Sequence, residues 1–96
     1  MEDLFSGMQV TQLTADRLGF FCAIEEVQVR FLLSLIAGFD SSVFLDVGSN
    51  VGAYSLLVSK MTDVSEVVAF EPSSTAMLNL KENVRLNKFG DRIKTL

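Results

Sequence analysis

The 96-residue sequence predicts an α/β fold: a Rossmann-like parallel sheet with flanking helices, expected to be truncated after the start of a third strand. Three observations carry this. The apolar run Val43-Phe44-Leu45 ends in Asp46, and Glu66-Val67-Val68-Ala69-Phe70 ends in Glu71. Between them lies the glycine turn Gly48-Ser49-Asn50-Val51-Gly52, followed by apolar residues at helical spacing. Strand, turn, helix and second strand are the parts of a βαβ unit, which binds ligands at the carboxyl ends of its strands.

Residues 1–22 read as an N-terminal extension and residues 23–96 as the first half of a domain. Within the extension, Met8–Leu13 alternates enough for a short strand, and Thr14–Gly19 reads as a turn or a helical piece. A helix is expected over Ala23–Ala37, with Ile24, Val27, Phe31, Leu32, Leu35 and Ile36 packed on the sheet. Glu25 and Glu26 would then occupy its first turn and complement the helix dipole, and Gly38 would stop it. Asp40-Ser41-Ser42 is a turn into the first strand.

Val43-Phe44-Leu45 shows no polar alternation, as in a strand buried on both faces. Gly48 supplies positive φ and a bare backbone for a ligand. Gly52 lets the next helix approach the strand. That helix runs from about Val51 to Met61, with Val51, Tyr54, Leu57, Val58 and Met61 on one face. Glu71, 23 residues beyond Gly48, can accept hydrogen bonds from two ribose hydroxyls. Pro72 ends strand pairing. Ser73 or Ser74 caps a helix reaching about Leu86 that buries Met77, Leu80 and Val84. Asn87 suits the left-handed residue that ends it. Phe89 covers the hydrophobic end, and Gly90-Asp91 turns into a third strand at Arg92–Leu96.

Composition narrows the classes. Half of the residues are apolar and the net charge is −4, which disfavours a nucleic-acid footprint. The charge is uneven: residues 1–79 hold ten acids and three bases, a net −7, and residues 80–96 carry +3. With one cysteine and no histidine, neither an internal disulfide nor the usual zinc site is available. Cys22 reads as a small buried hydrophobe. A reducing, cytoplasmic setting fits, and neither a transmembrane span nor a signal peptide is expected.

Asp46-Val47-Gly48-Ser49-Asn50-Val51-Gly52, Phe70-Glu71-Pro72 and Leu80-Lys81-Glu82-Asn83-Val84-Arg85-Leu86-Asn87 together resemble the FkbM family of S-adenosylmethionine-dependent, class I methyltransferases. The resemblance covers roughly Ala37–Leu96. Many class I methyltransferases have glycine where this chain has Asn50, whereas FkbM-like proteins commonly have asparagine. The resemblance implies S-adenosyl-L-methionine as cofactor, its methionine end along Asp46–Gly52 and its ribose on Glu71. Asp46, Gly48, Ser49, Asn50, Gly52, Tyr54, Glu71 and Pro72 are the candidate cofactor-binding residues. Ser49 and Asn50 would act mainly through backbone N–H groups and turn geometry. Tyr54 fits a core role as well as cofactor contact, and Ser55 reads as packing or helix surface.

The implied reaction is O-methylation of a small-molecule or sugar hydroxyl. No residue is singled out as the base, and no metal is expected. A complete domain of this kind is about twice as long, so the sequence looks like its first half. A half-sheet would leave an open edge and an uncovered face, open to self-association. Two other readings remain. One is an NAD(P)-binding oxidoreductase, disfavoured by Asn50 within the glycine pattern. The other is a non-catalytic chain that acts only by binding a partner.

Overall fold

The computed structural model describes residues 2–38, 40 and 43–96, leaving aside the side chains of Glu2, Asp3, Phe20, Cys22, Ala23 and Ile24. The expectations placed on Ser41, Ser42, Ile24 and the Cys22 thiol lie outside those residues. A single 3-10 turn at Glu2–Phe5 is followed by α1 (Gln12–Gly38), β1 (Val43–Val47), α2 (Ala53–Met61), β2 (Glu66–Phe70), α3 (Ser74–Leu86) and β3 (Ile93–Thr95). The sheet is parallel, in the order β1-β2-β3. Val43 pairs with Glu66 and Val47 with Phe70, and Val67 pairs with Ile93. This register brings the carboxyl ends of β1 and β2 side by side, with Asp46 and Glu71 at the same edge.

The core lies on one face of the sheet. Leu56, Val58, Val64, Val67, Ala69, Leu80, Val84 and Ile93 form its centre, with Phe44, Met77 and Phe89 packed against it. A second cluster joins Leu4, Val29 and Leu57, flanked by Phe21, Leu33 and Tyr54. Helix α2 belongs to both, which is why its buried residues run unbroken from Ser55 to Ser59. The expected single stripe on α2 is therefore too narrow. Leu56 is fully buried, and Met61 is exposed.

The strand β1 is not covered on both faces. Among the described residues, Val43, Leu45 and Val47 are 50, 61 and 79% exposed, whereas Phe44 packs into the core. The expectation of a strand buried on both faces is therefore overturned: one face of β1 is open. Across the sheet the same face carries the Lys94–Glu66 ion pair, 2.8 Å, so it is apolar at β1 and charged toward β3.

Helix α1 begins eleven residues before the expected Ala23 and runs without a break through position 22. No strand forms at Met8–Leu13, and Thr14–Gly19 is helical. The reason is a cap. The hydroxyl of Thr11, just before Gln12, accepts the Thr14 N–H at 3.3 Å, which starts the helix there. Glu25 and Glu26 are thus in mid-helix and not in its first turn. The inward face also differs from the expectation. Val29 is buried and Leu33 and Ile36 pack inward, while Val27 and Phe31 are 81 and 65% exposed and Leu35 is also exposed. Apolar residues occur on more than one side of this helix, so spacing alone does not say which side packs.

Helix α3 behaves largely as read. Ser73 caps it, its hydroxyl accepting the Ala76 N–H at 3.3 Å. Its end differs: Asn87 has φ −97°, and the left-handed residue is Lys88 at φ 60°. The Asn87 amide is engaged elsewhere, donating to Gln9 O at 2.6 Å and accepting the Gln9 N–H at 3.0 Å.

Candidate functional site

The turn after β1 alternates in hand. Gly48, Asn50 and Gly52 have φ of 75°, 55° and 95°. An ideal Cβ on Gly48 would meet nothing within 4 Å, so the turn presents open backbone there. Asn50 is the residue type that best replaces glycine at positive φ, which accounts for its place in the motif. Gly52 is required for another reason than the one expected. An added Cβ would lie 2.3 Å from Leu80 Cδ1, so it is α3, and not the strand, that approaches so closely.

Backbone bonds pin the turn to the end of β2. The N–H groups of Gly48 and Ser49 both donate to Phe70 O, at 2.8 and 2.9 Å. The Asn50 N–H donates to Glu71 Oε1 at 2.7 Å, and the Ser73 N–H to Glu71 Oε2 at 2.9 Å. Both Glu71 oxygens are thereby oriented, and each keeps a further lone pair for a ligand hydroxyl. The Ser49 and Asn50 N–H groups thus serve the turn itself.

Asp46 is held from α2. Ser55 Oγ donates to Asp46 Oδ2 at 2.6 Å, and Ser49 Oγ donates to the Asp46 carbonyl at 2.6 Å. Ser55 is fully buried, so it is not a helix-surface residue: it orients the carboxylate at the tip of β1. Asn83 on α3 supports the inner side of the turn, donating from Nδ2 to Val51 O at 2.9 Å and to Thr14 Oγ1 at 2.7 Å.

A cavity of about 620 Å³ opens beside the turn, bounded by Gly48–Val51, Ala53 and Tyr54 on one side and by α1 on the other. From α1 come Asp16, Arg17, Leu18, Phe21 and Glu25. Asp46, Gly52, Glu71 and Pro72 lie outside this lining. Arg17 Nη1 donates to Asn50 Oδ1. The Tyr54 hydroxyl donates to Glu25 Oε1 at 3.1 Å, and its ring meets Phe21 edge-on at 5.3 Å. Desolvation raises the phenol, and the bond to Glu25 and the charges of Glu25 and Asp46 raise it further, to about 12. Tyr54 therefore both packs and faces the cavity.

Of the eight candidates, Asp46, Gly48, Ser49, Asn50, Gly52 and Glu71 are joined through the turn and its bonds. Tyr54 joins them through the cavity wall. Pro72 follows Glu71 and is exposed. Arg17, Glu25, Ser55 and Asn83 are not among the candidate cofactor-binding residues read from the sequence. Asn79, Asn83 and Asn87 recur every four residues along one side of α3, a polar stripe that could have pointed to Asn83.

No protein-family model matches the chain. Solved methyltransferase structures share its fold. A Staphylococcus aureus structure assigned as a caffeoyl-CoA O-methyltransferase aligns with a TM-score of 0.70 at 18% identity, over 84% of this chain and 42% of that one. A Methanococcus maripaludis structure assigned as an S-adenosyl-L-methionine-dependent methyltransferase aligns at 0.66 with 24% identity, over 79% of this chain and 34% of its own. The fold is thus part of the Rossmann-like fold of the methyltransferases. In sequence, the chain is 29% identical over 93 residues to methyltransferase sdnD of Sordaria araneosa, matching 88% of this chain. The chain spans about a third of that relative's length, 36%.

Proposed function

We propose that this chain is the cofactor-binding half of an S-adenosylmethionine-dependent methyltransferase of FkbM type, which O-methylates a small-molecule or sugar hydroxyl. One observation carries the reading. The Glu71 carboxylate, fixed by two backbone N–H groups at the tip of β2, stands against a bare glycine turn at the tip of β1. The methyltransferase fold and the relative from Sordaria araneosa support it. The O-methyl preference draws on the S. aureus neighbour and on a Klebsiella pneumoniae structure assigned as an O-methyltransferase, TM-score 0.63 at 17% identity.

The residues fit the cofactor. The ribose diol offers two donors, and Glu71 offers two oriented acceptors. The open backbone at Gly48 admits a ligand against the turn, and a cavity of about 620 Å³ lies in the usual range for small-molecule sites. Asp46, held by Ser55, contributes negative charge at the strand tips. When bound, the cofactor supplies a methyl group already activated by its sulfonium. The work of the protein is then alignment and exclusion of water. None of the described residues is assigned as the base.

Among the described residues no helix is long and apolar enough to cross a membrane. A cytoplasmic setting, a small-molecule or sugar substrate, and self-association of the chain through the open β1 edge complete the proposal. The exposed Val43, Leu45 and Val47 support the last of these.

Calorimetric titration with S-adenosylhomocysteine tests the reading, with NAD as competitor and Glu71→Ala as control. Expected are binding that NAD does not displace and a loss of at least about tenfold in the variant, since bonds to a charged acceptor are lost. Binding of NAD in place of S-adenosylhomocysteine would favour the oxidoreductase reading instead.

A further inference from the structure

We propose that Arg17 is the anion-binding residue of the cavity, taking the α-carboxylate of the amino-acid end of the ligand. This rests on the reading above and assigns a group that reading leaves without a partner.

The charge of the cavity wall points to it. Three charged residues of α1 line the cavity: Asp16, Arg17 and Glu25. Nearby, Asp46 and Glu71 stand at the strand tips. Among the described residues Arg17 is the one cation of the lining, so an anionic group entering this acidic surrounding is attracted there and repelled by Asp16 and Glu25. Arg17 bonds to the amide oxygen of Asn50, a neutral acceptor, and no carboxylate among the described residues pairs with it. A guanidinium has five N–H donors in a planar fork that matches a carboxylate. Its side chain is exposed, so the donors not bound to Asn50 are open to a ligand.

The position suits the ligand's two ends. Asn50 touches Glu71 through its backbone N–H and Arg17 through its side chain, so it stands between an acceptor and a donor. S-adenosylhomocysteine and S-adenosylmethionine have the same polarity: donor hydroxyls on the ribose and an acceptor carboxylate at the far end. Asn50 at positive φ also brings its side chain out of the turn toward α1, where a glycine would offer no group to hold the guanidinium.

A merely structural role for Arg17, clasping α1 to the turn, makes a different prediction. The test compares S-adenosylhomocysteine with 5′-methylthioadenosine, which shares the nucleoside and lacks the amino acid. Both are titrated calorimetrically into the wild-type chain, Arg17→Met and Arg17→Lys, with thermal melting of each. Arg17→Met is expected to weaken S-adenosylhomocysteine by about 10- to 100-fold and to leave methylthioadenosine and the melting midpoint unchanged. Arg17→Lys is expected to recover part of the loss, because it restores the charge without the fork. Equal weakening of both ligands, or of neither, overturns the proposal while the methyltransferase reading stands. If the wild-type chain binds neither ligand, that reading falls first and the assignment of Arg17 falls with it.

Discussion

Asn83 Nδ2 donates to the carbonyl oxygen of Val51 across 2.9 Å, tying the middle of α3 to the inside of the glycine turn. The same amide donates to Thr14 Oγ1 at 2.7 Å and accepts the Thr11 N–H at 2.9 Å. One fully buried side chain therefore joins the start of α1, the turn and α3. Replacing it by leucine keeps the volume and leaves three polar partners without their bond. Asn83→Leu is expected to lose about 2–4 kcal/mol in urea denaturation, against under about 1 kcal/mol for Asn79→Ala, which is less buried on the same side. It should also weaken S-adenosylhomocysteine more than Asn79→Ala does. Equal effects of the two would show that the buried network is not what sets the turn.

Gly52 and Leu80 form the second such pairing. Alanine at 52 meets two costs, a left-handed φ of 95° and the Leu80 methyl 2.3 Å from its Cβ. Gly52→Ala is expected to destabilise by about 2–4 kcal/mol. The two costs separate in a double-mutant cycle. With Leu80→Ala as background, the contact is relieved, and the Gly52→Ala penalty should fall to the backbone part, about 1–2 kcal/mol. An unchanged penalty would mean that the approach of α3 is not what requires glycine.

The strand–turn–strand unit was legible because its signals are local. An apolar run, glycines at fixed offsets and an acid at a strand tip all follow from the neighbouring backbone. What supports the turn was not legible, because its partners are remote. Asn83 lies 32 residues from Val51, and Ser55, which reads as packing or helix surface, has its partner nine residues back in the Asp46 carboxylate. The start of α1 was hidden for the same reason. Thr11 caps it and is itself held by Asn79 and Asn83, some seventy residues away. The facing of α1 was hidden by composition, since Val27 and Phe31 outside are as apolar as Val29 and Leu33 inside.

The two faces of the sheet should respond differently to truncation. Leu56→Ala removes a fully buried side chain from the covered side and is expected to cost about 2–5 kcal/mol. Leu45→Ala, on the open face, should cost under about 1 kcal/mol. Leu45→Lys should leave folding intact and reduce concentration-dependent association in sedimentation velocity, because a charge on an open face beside a strand edge opposes pairing. A chain that sediments as a monomer both before and after the change would remove the self-association proposal.

Tyr54 gives the cavity a direct spectroscopic readout, because it is the one tyrosine in a chain without tryptophan. Its tyrosinate absorbance should appear with a midpoint near the raised value of about 12, not near the ordinary 10. Burial is the first cause and Glu25 the second, so Glu25→Gln should bring the midpoint down part of the way toward 10 and not all of it. The consequence for stability has a definite sign. The folded chain holds the phenolic proton more tightly than the unfolded chain. The contribution is therefore fully present below pH 10 and is lost as the pH rises from 10 through about 12. Because the ring is partly solvent-exposed, the loss should be small. It should vanish in Tyr54→Phe, whose stability across that interval should be flatter than the wild type's by the Tyr54 contribution alone. A ligand that fills the cavity should push the midpoint further up by excluding water. A tyrosinate midpoint of 10 in the folded, ligand-free chain would mean that neither the Glu25 bond nor the burial of the ring exists in solution, and the α1 wall of the cavity would have to be redrawn.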